Sequence, residues 1–312
     1  MSTVWIVTEK PFSKAAVDGI TKIVNAKGHE VKLLEKYTDP AQIYEAVADA
    51  DALIVRSDLV TKEVLAHAPK LKIVVRAGAG YDNIDLQAAT EKNIVVENTP
   101  GQNANAVAEL VFGLMLLHAR KNFTGAAGTE LGGKKIGIQG YGAVGRHVAR
   151  IASGFDMDVY TLAANPLRPR PADDVSEKAG VKYVDSLKEL YQTCNYLSLH
   201  IPATAETKGS INYELLSNLP KNGVLVNTAR AEVIDEAGLV KMFEKREDFA
   251  YLSDVAPKNK DLIAEKFPGR FFFTQKKAGA QTAEANNNAG LAAANQICSF
   301  FETGKSAFQV NK

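Results

Sequence analysis

Gly140-x-Gly142-x-x-Gly145 is the run of this chain whose chemistry is easiest to state. It follows the apolar segment Lys135–Gln139 and opens a stretch of helical spacing that continues through Ala152. In such a place the first glycine permits a tight turn, the second lets backbone approach a pyrophosphate, and the third allows close helix–sheet packing. Amides at the helix start, with Ala143 and Val144 between the glycines, would supply donors and a positive dipole to that anion. A glycine turn with no ligand is the bland alternative, and the strand before and helix after argue against it. An acidic residue ~20 positions on would bond the ribose hydroxyls of a dinucleotide. By spacing Ala163 stands there, with Arg168 and Arg170 just beyond. Without a carboxylate, repulsion of a 2′-phosphate is lost, and the arginines could attract one. They are otherwise solvated loop charges.

Those glycines need a parallel sheet around them, and the rest of the chain supplies it. Strands are expected at Val4–Val7, Val31–Leu34, Ala52–Val55 and Ile73–Val75, alternating with helices at Ser13–Ala26, Pro40–Ala48 and Lys62–Ala68. A mostly apolar helix, Ala104–Leu117, is expected to lie buried between two domains. A second series has strands at Lys135–Gln139, Val159–Leu162, Tyr196–Leu199, Val224–Val226 and Tyr251–Leu252. A final helix spans Ala289–Phe301. Short apolar runs alternating with helices predict an α/β protein with helices on both faces of parallel sheets.

Composition bounds the function classes. At 312 residues two domains are expected. A net charge of +1 gives no support to a nucleic-acid or membrane-surface partner. The two cysteines, Cys194 and Cys298, have no metal-ligand spacing and fit a reducing, cytoplasmic setting, so no metal is expected. The most apolar segment, Ala106–Ala119, holds Glu109 and is too short to span a bilayer. The first residues do not read as a signal peptide.

Further segments carry a family likeness. Ser198-Leu199-His200-Ile201-Pro202-Ala203-Thr204, Asn227-Thr228-Ala229-Arg230, Asp254, and Lys277-Ala278-Gly279-Ala280-Gln281-Thr282 follow the glycine turn in that order. Over nearly the full length this pattern resembles the D-isomer-specific 2-hydroxyacid dehydrogenases, whose late motif is Pro-His-Ile-Gly-Ala-x-Thr. The resemblance implies a Rossmann cofactor domain, residues 96–285, and a flavodoxin-like, doubly wound substrate domain, residues 1–95 plus 286–312, to which the last helix returns. It implies NAD as cofactor, with NADP open because of Ala163. Gly140, Gly142, Ala143, Val144, Gly145, His200, Ile201, Pro202, Thr207, Thr228, Ala229, Asp254, Gly279 and Ala280 would line the cofactor. Arg230 would anchor the substrate carboxylate in a bidentate fork and polarise the adjacent carbonyl. A structural ion pair is its other reading. His200 fits cofactor lining better than a base, since no carboxylate is evident to orient it.

Two departures coincide. Lys277 stands where the family carries its catalytic histidine, and Asn259 where it carries the glutamate that tunes that histidine. A lysine does not need that glutamate. It would have to be partly neutral to accept a proton, so burial, Lys276, Arg230 and the nicotinamide charge are expected to depress its pKa from ~10.4. Its other reading is anion binding, with water carrying the proton.

The segments Val55-Arg56-Ser57-Asp58, Val74 to Asp85 and Asn98 to Asn103 resemble the short D-3-phosphoglycerate dehydrogenases in particular. The resemblance implies Arg56, Ser57, Arg76, Gly78 and Ala79 as contacts to a phosphorylated 2-hydroxy acid, with the amides of Ala77 to Gly80 as an anion nest. The expected activity is NAD-dependent oxidation of 3-phosphoglycerate to 3-phosphohydroxypyruvate in serine synthesis, by a homodimer. The chain ends soon after the returning helix, so no C-terminal regulatory domain is expected. The alternatives are an NADPH-dependent hydroxypyruvate or glyoxylate reductase, and a non-catalytic NAD(H)-sensing interaction protein.

Overall fold

Runs of valine, isoleucine and leucine too short for helices pair as parallel strands, and the polar or small residues between them start and stop helices. The computed structural model describes residues 1–163, 175 and 177–311. The first series is β1 (Thr3–Thr8), α1 (Lys14–Ala26), β2 (Glu30–Glu35), α2 (Ala41–Val47), β3 (Ala52–Val55), α3 (Lys62–Ala66), β4 (Ile73–Arg76), α4 (Leu86–Glu91) and β5 (Val95–Asn98). The second opens with α5 (Ala104–Ala119), β6 (Lys135–Gln139), α6 (Ala143–Gly154), β7 (Asp158–Leu162) and β8 (Lys182–Val184). It continues with α7 (Leu187–Thr193), β9 (Tyr196–Leu199), α8 (Tyr213–Leu216), β10 (Val224–Asn227), α9 (Glu236–Lys245), β11 (Ala250–Ser253), α10 (Lys260–Lys266) and β12 (Phe271–Phe273). α11 (Ala283–Thr303) follows.

The strands form two sheets. The five-stranded sheet has the order β2-β1-β3-β4-β5 and the seven-stranded sheet β12-β11-β10-β9-β6-β7-β8, with every described pair parallel. The first is the doubly wound flavodoxin-like order. The second is the Rossmann order with one more edge strand. Each reverses direction once, between β1 and β3 in the first and between β6 and β9 in the second, and ligands of open α/β sheets sit at such reversals, outside the carboxyl ends.

Both faces of both sheets are covered, which is why the strands read as near-continuous apolar runs. In the smaller sheet Leu53, Val55, Val74 and Val96 face one core, while Ala52, Ile54, Ile73 and Val75 face the other. In the larger sheet Ile136, Ile138, Val226 and Leu252 face one core, and Leu197, Leu199, Leu225 and Tyr251 the other. A leucine cut to alanine at a fully buried place such as Leu53 costs about 2–5 kcal/mol.

The chain divides into two compact units, Met1–Asn103 with Gln281–Lys312, and Ala104–Ala280. The first changeover falls later than the expected 95/96 and the second earlier than 285/286. Hydrogen bonds explain the first shift. Thr99 N–H donates to the Gly78 carbonyl at 2.9 Å and Asn98 Nδ2 to the Ala79 carbonyl at 2.6 Å, so the segment after β5 stays with the first unit. The second shift follows from α11 starting six residues before the apolar run Ala289–Phe301. Thr282 caps it by accepting the Ala285 amide at 3.1 Å, and its polar first turns hide it from hydrophobic spacing. α11 packs on α1, and Gly304 in the left-handed region ends it. α5, expected between the domains, places Ala108, Val111, Phe112, Leu114 and Met115 in the core of the second unit with Ile136 and Val148.

Candidate functional site

In the second unit the glycine turn has the three environments its spacing asks for. Gly140 sits at φ +101°, and a Cβ there would lie 2.6 Å from the His200 backbone, so the ends of β6 and β9 touch at the sheet reversal. A Cβ on Gly145 would lie 2.5 Å from the Gly140 carbonyl oxygen, which fixes α6 tightly on the sheet. Around Gly142 there is open space, and no side chain caps α6 there. Unclaimed amides at a helix start beside free volume are what a pyrophosphate requires.

His200 follows β9. Its N–H donates to the Gln139 carbonyl at 2.8 Å, and its Nε2 lies 2.8 Å from Ser198 Oγ. Burial pushes its pKa down to about 3, which favours the neutral ring. Ile201 and Pro202 continue the loop, and Thr207 closes it by donating to the Pro202 carbonyl and accepting the Thr204 amide at 2.7 Å. Ala163 is exposed just past β7, and its N–H donates to the Val184 carbonyl. Arg168 and Arg170 lie outside the described residues.

The ends of β10, β11 and β12 are tied into one ledge. Asn227 holds the turn after β10: its Oδ1 accepts the Ala229 amide at 3.0 Å, and its Nδ2 donates to the Arg230 carbonyl at 3.0 Å. Arg230 Nη1 donates to the Ala229 carbonyl at 3.0 Å, and the side chain is half-buried. Thr228 is buried, with an Oγ1 that has no partner among the described residues, beside the open carboxyl end of β10. Asp254 N–H donates to the Asn227 carbonyl, and Thr274 N–H to the Ser253 carbonyl.

Asp254 is the hub of that ledge. Oδ1 accepts the Ala278 amide at 2.6 Å and the Thr274 hydroxyl at 3.0 Å, and Oδ2 accepts the Gly279 amide at 2.8 Å. A Cβ on Gly279 would lie 2.9 Å from Oδ2, so glycine is required for that approach. The carboxylate therefore holds the backbone immediately after Lys277, a role the linear reading did not assign to it. Lys277 itself is exposed, so the burial expected to depress its pKa is missing from the structure. Asn259 starts α10, and its Nδ2 donates to the Glu236 carbonyl at 3.1 Å. Ala280 follows Gly279, half-buried, as the last residue of this unit.

In the first unit, Arg56 and Arg76 leave the ends of neighbouring strands β3 and β4 with different fates. Arg56 Nη1 donates to the Lys10 and Pro11 carbonyls at 2.8 and 3.0 Å, and Nη2 to Asn286 Oδ1 at 2.7 Å. Its guanidinium lies 5.2 Å from the Phe12 ring centroid. Burial lowers its pKa from the usual value, against the opposing pull of Asp58. Asp58 accepts the Glu9 amide at 2.6 Å and the Tyr37 hydroxyl at 2.7 Å. The reversal between β1 and β3 is thus clasped by the protein's own groups, and Arg56 reads as a clasp more than as a ligand contact.

Arg76 Nε donates to the Arg56 carbonyl at 2.9 Å, and its guanidinium lies over Gly78. A Cβ on Gly78, at φ +150°, would fall 1.4 Å from Arg76 Nη1. Ser57 and Ala79 are exposed on the same rim. Neither the clasp of Arg56 nor the cradle of Arg76 has a signal in spacing. Asn286, the partner of Arg56, is 230 residues away. Among the described residues no group of three His, Cys, Asp or Glu could hold a metal ion, and no helix is long and apolar enough to cross a membrane.

The family model for the catalytic domain of D-isomer specific 2-hydroxyacid dehydrogenases matches residues 6–311. The chain belongs to that family. It is similar to the crystal structure of cofactor (NAD+)-bound 3-phosphoglycerate dehydrogenase of Entamoeba histolytica, with 47% identity and a TM-score of 0.85 over 100% of this chain and 99% of that one. It is 36% identical over 275 residues to the D-3-phosphoglycerate dehydrogenase of Methanocaldococcus jannaschii, covering 82% of this chain and 51% of that protein. It is 33% identical over 279 residues to the hydroxypyruvate reductase of Thermotoga maritima, covering 84% and 88%. The chain thus spans about half the length of that Methanocaldococcus jannaschii protein.

Proposed function

We propose that this chain carries D-3-phosphoglycerate dehydrogenase activity, with a lysine as its acid–base group and NAD as its cofactor. The observation that carries the reading is the ledge at the carboxyl ends of β10, β11 and β12. It bears Arg230 and the Lys277 loop on one sheet with the glycine turn, in a chain 47% identical throughout to an NAD+-bound 3-phosphoglycerate dehydrogenase. The second unit would take the cofactor.

The residues fit a dinucleotide. Open volume at Gly142, the unclaimed amides of α6 and the unpartnered Thr228 hydroxyl are groups that bound NAD would satisfy. Bound there, the nicotinamide supplies hydride transfer. Arg230 grips the substrate carboxylate with two parallel N–H bonds and draws electron density from the neighbouring C2 oxygen. Lys277 removes the C2 hydroxyl proton in oxidation and returns it in reduction. Asp254 holds that lysine's loop in place. Arg76 and the amides around Gly78 meet the phosphate.

The reading extends to the entry step of serine synthesis and to a cytosolic homodimer. Two free, buried cysteines suit a reducing compartment. A second reading, an NADPH-dependent hydroxypyruvate or glyoxylate reductase, draws support from exposed Ala163 at the ribose position and from the reductase relative. Steady-state assays of 3-phosphohydroxypyruvate, hydroxypyruvate and glyoxylate, each with NADH and NADPH, separate the two. The highest kcat/KM is expected for the phosphorylated substrate with NADH. A preference for glyoxylate with NADPH would replace the first reading by the second.

A further inference from the structure

The larger sheet has a second end. Under the amino ends of its strands lies a cavity of about 470 Å³, lined by Tyr196, Val224 and Ala250, the first residues of β9, β10 and β11. None of the glycine-turn, Arg230, Asp254 or Lys277 groups lines it. They sit at the opposite ends of the same strands, about 13 Å away along a four-residue strand such as β10.

The charge of this cavity is one-sided. Lys121, Lys134, Lys221 and Arg270 line it, against the carboxylates of Glu247 and Asp248. Asp248 is already matched: Arg246 Nε and Nη2 donate to its two oxygens at 2.8 Å each, and the Asn222 amide donates at 2.6 Å. That leaves four cations to one carboxylate in a chain whose net charge is only +1. Arg270 is held by the Phe243 and Arg246 carbonyls, and Lys134 by the Glu130 carbonyl, so their charge stays at the wall. Lys121 and Lys221 are exposed and form no ion pair among the described residues.

We propose that this cavity is a binding site for a small phosphate-bearing anion, distinct from the catalytic site. Its volume is in the range of small-ligand sites, and a concave wall of one sign concentrates field and counter-ion. Lysine ammonium groups on loops meet phosphate as movable point charges. Tyr196 and Phe249 in the lining are buried to 4% and 0% exposure, so neither offers a stacking face to a nucleotide base. Inorganic phosphate and a phosphomonoester metabolite share the chemistry this wall recognises.

His118 reports on the site from its wall, where burial and then Lys121 hold its imidazole pKa below the usual value. The experiment is an NMR titration of the full chain, following the imidazole resonances, with the His118 signal assigned by His118→Asn. Inorganic phosphate, glycerol phosphate and pyrophosphate are added in turn, with sodium chloride at matched ionic strength as control. The phosphate probes are expected to move the His118 signal saturably while sodium chloride does not. Lys121→Gln/Lys221→Gln is expected to weaken that response roughly tenfold or more and to leave turnover unchanged. A larger response to glycerol phosphate than to phosphate would assign the site to phosphomonoesters, and the reverse to the free ion. An equal response in the double variant, an equal response to chloride, or none to any phosphate probe would overturn the proposal. Since the readout is His118, failure here is distinguishable from failure of the catalytic reading.

Discussion

Asp254 holds Lys277 by the backbone: its two oxygens accept the amides of Ala278 and Gly279 at 2.6 and 2.8 Å, the two residues after the lysine. A side chain exposed to solvent is thereby mounted on a backbone that is not free to drift. Asp254→Asn replaces one acceptor oxygen with an NH2 that cannot accept. The loop should loosen, with kcat falling by roughly tenfold or more, in proportion to one lost charge-assisted bond. The measurement that separates positioning from cofactor binding is the dissociation constant of NADH. It should change much less than kcat, and an equal change in both would assign Asp254 to the cofactor alone.

Lys277→Ala should lower kcat by ~10²–10⁴-fold, the usual contribution of a placed acid–base group. Lys277→Arg keeps the charge but does not release its proton at working pH, so it should be nearly as slow. In the oxidation direction wild-type kcat should rise with pH, because the neutral amine is the active form. Near wild-type turnover by the arginine variant would leave Lys277 a role in anion binding only.

Arg76 and Gly78 should behave as one unit, since the guanidinium covers the glycine. Arg76→Ala is expected to cost about 1.5–3 kcal/mol in kcat/KM for 3-phosphohydroxypyruvate, and much less for hydroxypyruvate. Gly78→Ala should show the same selectivity by displacing that guanidinium. Arg56→Ala should instead lower Tm, because it unties Lys10, Pro11 and Asn286. Equal losses for both substrates in Arg76→Ala would count against the phosphate assignment.

Ala163 sets the cofactor test. With no carboxylate at that place, discrimination between NADH and NADPH should be weak in wild type. Ala163→Asp should shift it toward NADH by opposing the 2′-phosphate. A wild-type preference for NADH of several orders of magnitude would mean that another group reads the ribose.

His200 predicts acid sensitivity. Its folded pKa of about 3 lies below the unfolded value of ~6.5, so protons bind the unfolded chain first. Its contribution to stability is full above ~pH 6.5 and is lost as pH falls toward 3, at no more than about 1.4 kcal/mol per pH unit. His118 and His147, also lowered by burial, act in the same direction. Denaturant unfolding of His200→Asn against wild type across that range should show a shallower loss in the variant. Parallel curves would show that the imidazole titrates normally.

Composition and spacing alone determined the alternation of strands and helices and the glycine turn, whereas Arg230, Asp254 and Lys277 stood out only through the family resemblance. These are local properties: periodicity follows from burial on two faces, and the turn follows from where backbone needs room. β8 and β12 escaped notice because three residues carry too little pattern, and β5, no shorter than β3 or β4, because its second half is the polar pair Glu97 and Asn98. Only the tertiary structure decided what each charged group touches. Arg56 and Arg76 look alike in sequence, each at the end of a short apolar strand. One is clasped by Lys10, Pro11 and Asn286, and the other lies over Gly78. Asp254 reads in sequence as a lone carboxylate after a strand, and the fold makes it the anchor of a loop more than twenty residues later. The physical reason is the same in each case. A hydrogen bond is short and directional, so its partner depends on where distant segments arrive, and spacing along the chain carries no record of that.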